Sequence, residues 1–174
     1  RGWQRTYPHL VTMEAIRGFE FITFTQQDAD AEPNHAAMLP FTRNAFDPMD
    51  FTPMNLYKIP TRVKRKTSSA FELATSVLFL SGIQHMAESP AGMEHVPESV
   101  QKFLRELPDR WDDVKFIEGY PGKYVVLARK AGSKWYIACI NGENKEKTIA
   151  LDLSSFKMKK GLLITDGPEP LSFS

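Results

Sequence analysis

The stretch KYVVLARKAGSKWYIACIN, residues 123 to 141, constrains the fold more than any other. Two runs rich in β-branched and aromatic residues, KYVVLARK (123–130) and KWYIACIN (134–141), flank an AGS turn. Apolar side chains at period two bury one face of a strand and a glycine turn lets the chain reverse, so the pair reads as an antiparallel hairpin. A GENKE turn and the run KTIALDLS (147–154) follow, and GLLIT (161–165) continues the pattern, so the expected architecture of this half is an antiparallel meander.

Upstream the character changes. Nine of the 12 prolines and six of the 7 methionines lie at or before residue 108, together with two helix-like stretches. SSAFELATSVLFLSG starts on serine, is apolar nearly all round and ends on Gly82, the pattern of a largely buried helix. PESVQKFLREL (97–107) places Val100, Phe103, Leu104 and Leu107 at helical spacing behind Pro97 and Glu98, which predicts an amphipathic surface helix. HLVT (9–12) reads as a short buried strand ending just before Glu14. Strand, loop, helix and a further short segment suggest α/β structure over residues 1–108, followed by a small antiparallel β domain over 109–174.

Composition narrows the class. At 42% hydrophobic and 25% charged the chain is globular, and a net charge of +1 gives no electrostatic reason to expect nucleic acid or an anionic membrane as partner. KIPTRVKRKTSS (58–69) carries five basic residues but no interleaved aromatics, which suits a solvated loop. Cys139 stands alone, excluding an intrachain disulfide or a cysteine-based zinc site. No apolar run approaches the roughly 20 residues that span a bilayer. The opening RGWQRTYPHL has neither an initiator Met nor a signal-peptide pattern, so the chain is expected to be a fragment of something longer.

The chemically suggestive stretch is TMEAIRGFEF, with Glu14 and Glu20 in an otherwise apolar setting. In a helix a six-residue step rotates about 120° off the starting face. In a straight strand it separates the two side chains by roughly 20 Å. Only a bent path brings the carboxylates together, and Gly18 is expected to supply the bend. Paired carboxylates suit glycosidic bond cleavage or the binding of a hard cation, and the residues alone leave both open beside a third reading, solvated loop acids with one paired to Arg17.

Four strings occur together and in order: GWQRTYPHLVTMEAIRGFE, LPFTRNAFDPMDFTP (39–53), SGIQHMAESP (81–90) and RWDDVKFIEGYPGKYVVLARKAGSKWYIACIN. In this combination the chain resembles glycoside hydrolase family 97, whose members include bacterial α-glucosidases and α-galactosidases. The resemblance implies a three-part enzyme in which this chain holds the last part of a (β/α)8 barrel, residues 1–108, and most of the C-terminal β domain. It also implies an α-linked oligosaccharide or glycoside as substrate, a Ca2+ cofactor and a periplasmic or exported location.

By the same resemblance Glu14 corresponds to a calcium ligand and Glu20 to the general acid. Calcium takes six to eight oxygen ligands and demands an ionised carboxylate, whereas a general acid must keep its proton until it is needed, which asks for apolar walls. Phe19, Phe21 and Trp3 are the candidates for those walls. The partner carboxylate, an Asp nucleophile in retaining members or a Glu base in inverting ones, lies upstream of this segment in the family, so the fragment alone is expected to be inactive. The alternative is a noncatalytic carbohydrate-binding or structural module that has lost the reaction.

Supporting residues are weaker signals. Arg5, before Tyr7 and Pro8, is a candidate to hold a carboxylate or contact substrate, and Asp50 in DPMDFTP is a candidate to support the site. His9 stands where some relatives carry Asn and takes no catalytic role, and His85 reads as an ordinary packed histidine. Asp47 stands where relatives often have Gly, which questions the local turn. Trp111, Trp135, Tyr120, Tyr124 and Tyr136 are expected to fill the β-domain core rather than to form a sugar platform.

Overall fold

A computed structural model describes the chain except residues 1, 2, 15, 53, 54, 59, 60, 158 and 159 and the side chains of Gln4, Phe19 and Phe21. The helices are α1 (Trp3–Thr6), α2 (Gln26–Met38), α3 (Ser69–Leu78), α4 (Pro90–Met93) and α5 (Glu98–Arg105). The strands are β1 (Asp113–Tyr120), β2 (Tyr124–Ala131) and β3 (Lys134–Asn141).

The strands form one antiparallel sheet in the order β1-β2-β3. Ala131 pairs with Lys134 across the Gly132–Ser133 turn, as the sequence predicts, and Gly132 has φ +56. β1, with a bulge between Phe116 and Glu118, pairs with β2 through a turn in which Gly122 has φ +74. These are the two glycines whose left-handed backbone other residues resist. As the middle strand, β2 is buried continuously from Val125 to Arg129.

The expected later strands do not form. Among the described residues neither 147–154 nor 161–165 is a strand, and Leu162 and Leu163 are exposed. Alternating apolar residues make a strand only where a neighbouring strand takes their backbone groups. Instead the chain folds back on itself at its end, with Thr165 and Ser174 exchanging backbone hydrogen bonds of 3.0 and 2.9 Å.

α3 opens where the sequence predicts, with the Ser68 hydroxyl accepting from the Phe71 amide at 3.1 Å. It stops at Leu78 rather than at Gly82, because Phe79 turns to extended backbone and Arg129 from β2 takes the terminal carbonyls. Arg129 Nε donates to Val77 O at 2.7 Å and Nη2 to Leu78 O at 2.8 Å. A buried cation at a helix C-terminus satisfies both the orphan acceptors and the helix dipole. α5 is the predicted amphipathic helix, burying Val100 with Leu56, Leu73 and Val96.

In place of a barrel, the described residues of the first part show short parallel contacts. Met13 bridges Met49 and Phe51 bridges Gln84, both in parallel sense. The strand expected over 9–12 is not formed; its place is taken by the single bridge at Met13. Among the described residues the barrel itself is absent, since barrel strands pair along their length with a neighbour on each side and these segments meet at isolated rungs. One apolar cluster runs through residues on both sides of position 108, joining Met49, Phe51, Val77, Leu78 and Phe79 to Val125, Leu127, Ala138 and Ile140.

Candidate active site

Glu14 follows directly on the Met13 bridge. Its side chain is exposed, and its carboxylate has no hydrogen-bond or ion-pair partner among the described residues. Glu20 lies in a 3-10 turn, Phe19–Thr23, where the Thr23 hydroxyl donates to its carbonyl at 2.7 Å. The Glu20 side chain is half-buried, and Oε2 is enclosed with no hydrogen-bond partner among the described residues.

Gly18 explains the placement of Glu20, though not by the expected bend. Its φ is not positive; instead a Cβ there would stand 2.5 Å from Glu20 Oε2 and 3.0 Å from Oε1. The Glu20 carboxylate lies against the Gly18 Cα, so a Cβ there would displace this flexible side chain. Arg17 pairs with Asp28 at the start of α2, anchoring the turn from the other side. Behind Gly18 a cavity of about 100 Å³ opens between Arg17, Asp28, Glu32 and His35, and burial lowers the pKa of His35, with Arg17 adding to the effect.

No hydrogen bond links Glu14 to Glu20 among the described residues. Among the same residues no three of His, Cys, Asp and Glu lie close enough to hold a metal ion. What the described residues offer a hard cation is the exposed Glu14 carboxylate, an oxygen donor of the kind calcium takes, with the rest of its six to eight ligands to come from elsewhere.

Asp50 is half-buried, and its amide donates to Met13 O at 2.9 Å, one rung from Glu14. Arg5 sits exposed in α1 without a described partner. Asp47 is buried and its φ is not positive, so the turn accepts an Asp as readily as a Gly. Of the expected walls, Trp3 is 51% exposed and stacks on Tyr7 at 5.7 Å, while the side chains of Phe19 and Phe21 lie outside the described residues. Of the β-domain aromatics, Trp111 packs against Tyr136 at 5.3 Å and Trp135 against Phe156 at 5.1 Å, whereas Tyr120, expected in the core, is exposed at the end of β1 with Lys123 over its ring.

Two networks escape a reading of sequence alone. Arg43 and Asn44 tie three parallel segments together through main-chain carbonyls. In the second network Glu32 of α2 and Glu72 of α3 face one another beside Arg65, with the Thr67 hydroxyl donating to Glu72 and lying 3.5 Å from Glu32 Oε2. Burial, and then the adjoining Glu72, push the Glu32 carboxyl up to about 10. The signal for the second network is Glu72 itself, an acid inside the apolar run AFELATSVLFL.

Comparison with known proteins gives a consistent result. The family profile described as "Glycosyl-hydrolase 97 C-terminal, oligomerisation" matches residues 110–169. A probable retaining α-galactosidase of Streptomyces bingchenggensis is 38% identical over 98% of this chain and 25% of its own length. A retaining α-galactosidase of Bacteroides thetaiotaomicron is 29% identical over 80% of this chain and 22% of its own. Among solved structures, a β-arabinopyranosidase superposes with a TM-score of 0.78 at 38% identity, covering 83% of this chain and 24% of that one. A glycoside hydrolase family 97 enzyme of Pseudoalteromonas sp. strain K8 in complex with acarbose gives 0.64 at 27% identity, covering 80% and 22%. The chain thus spans about a quarter of the length of the relatives it matches. It belongs to the C-terminal region of glycoside hydrolase family 97.

Proposed function

We propose that the whole protein is a calcium-dependent α-glycoside hydrolase in which Glu20 is the general acid and Glu14 a metal ligand. The observation that carries this reading is the contrast between the two carboxylates: Glu14 open and unpaired, Glu20 pressed on Gly18 with one oxygen enclosed and unpartnered among the described residues. A proton on Glu20 would go to the departing glycosidic oxygen. Bound calcium would supply charge to orient water or polarise a sugar hydroxyl. The parallel bridges Met13–Met49 and Phe51–Gln84 steady the segment that carries Glu14, and the partner carboxylate is read as lying outside this chain. Asp50 supports the Glu14 segment, Arg5 faces the substrate side, and the isolated chain is inactive for want of that partner.

The substrate is read as galacto-configured. The relatives at 38% identity are named for α-galactoside and β-arabinopyranoside cleavage. A β-arabinopyranoside of the L series has the ring configuration of an α-galactoside without its hydroxymethyl group, so one pocket suits both. Export to the periplasm is part of the same proposal. In the whole enzyme, an aryl α-galactoside should be hydrolysed faster than the α-glucoside, and a chelator should stop both. Glu20→Gln should lower kcat by about 10²- to 10⁴-fold while calcium affinity stays near the wild-type value. Undiminished turnover in that variant would overturn the assignment.

A further inference from the structure

We infer that Arg43 is a positioning residue that aims the Glu14 carboxylate, acting through the main chain on which Glu14 stands. The inference rests on the reading of Glu14 as a metal ligand. Arg43 Nη2 lies 2.8 Å from Met13 O, 3.1 Å from Pro48 O and 3.4 Å from Glu14 O, and Nη1 lies 3.2 Å from Asp47 O. Among the described residues these carbonyls are its partners, and no carboxylate pairs with it.

A half-buried guanidinium committed to neutral main-chain acceptors is an unusual use of a charge, because an arginine on a surface gains more from a carboxylate. The arrangement makes sense if rigidity is what it provides. The carbonyls of Met13 and Glu14 bracket Glu14, so gripping both removes rotation about the peptide units that carry its side chain. The neighbouring residue extends the clamp: Asn44 Nδ2 donates to Leu80 O at 2.8 Å and Oδ1 accepts from the Leu80 amide at 2.7 Å. Two consecutive side chains of the turn Arg43–Ala45 therefore lock the segments at 13–14, 47–49 and 80 in one register. Met49 N to Leu80 O at 3.0 Å and Asp50 N to Met13 O at 2.9 Å are the rungs so held.

Glu14 thus sits on a backbone held at the carbonyls on both sides of its Cα, and the contacts of Arg43 are to main chain rather than to either carboxylate. A lysine keeps the charge but has no fork with which to span two segments. Groups that orient a metal ligand from behind typically contribute 10- to 100-fold in affinity.

The test uses the whole enzyme and calcium affinity by calorimetry, with the melting temperature of the calcium-free form recorded beside it. Arg43→Lys should weaken calcium binding about tenfold. Glu14→Gln should weaken it too, and Arg43→Lys added to Glu14→Gln should bring little further loss, because the two act through one ligand. Glu14→Gln without effect would remove the metal-ligand reading. Glu14→Gln with an effect, but Arg43→Lys neutral or fully additive to it, would overturn the positioning role alone. Should the Arg43 variants not fold, hydrogen exchange on the wild type decides: calcium should slow the Asp50 amide severalfold, and an unchanged rate refutes the inference.

Discussion

At Gly18 the sequence and the fold give different reasons for a glycine. From the sequence a glycine between two acids suggests a bend; in the fold it makes room for the Glu20 carboxylate, which a Cβ would meet at 2.5 Å. Glu14 and Glu20 stand out as candidates because carboxylates in an apolar stretch are chemically conspicuous. The void at Gly18 and the clamp of Arg43 are not, since both depend on which main-chain atoms approach across the fold. Gly18→Ala should therefore push the Glu20 carboxylate from its place and lower kcat of the whole enzyme by about 100-fold, the order expected for a misplaced catalytic group. Because backbone angles at Gly18 suit alanine, the melting temperature should move little. A variant that unfolds instead, or that keeps full turnover, would contradict this account.

At the scale of elements, α3 and the β2–β3 hairpin are legible because their periodicities are strong and local capping agrees with them. α2 is not. Its sequence QQDADAEPNHAAM presents alanines and Pro33 where a large apolar stripe would be expected, and it holds its place by close approach. Asn34 Nδ2 donates to Gly122 O at 2.6 Å, and a Cβ on Gly142 would stand 2.9 Å from the Cβ of Ala37. The end of α3 is likewise set from outside, by Arg129 on the neighbouring strand. Arg129→Ala leaves the carbonyls of Val77 and Leu78 buried without donors, and should lower the unfolding free energy by about 2–4 kcal/mol. Urea unfolding measures this directly, and a loss below about 0.5 kcal/mol, the range of an ordinary surface change, would refute the capping role.

For the whole molecule, the pairing of α2 with α3 makes stability a function of pH. Glu32 meets Glu72, with Arg65 and the Thr67 hydroxyl at the same place and Glu88 and Asp166 acting on Arg65 from further off. The folded protein holds the Glu32 carboxyl protonated up to about 10, while the ordinary value of 4.5 applies once the chain unfolds. Unfolding between these limits releases that proton. The contribution is fully present below 4.5, declines as pH rises through the window, and is gone above the folded value. The melting temperature should accordingly fall from pH 5 towards pH 9. Glu32→Gln puts a neutral amide where the protonated acid stands and removes the titration, so its melting temperature should follow pH less steeply, with the gap to wild type widening in its favour as pH rises. Thermal unfolding of both proteins across that range is the measurement, and parallel curves would show that the two carboxyls do not share a proton across the helix interface.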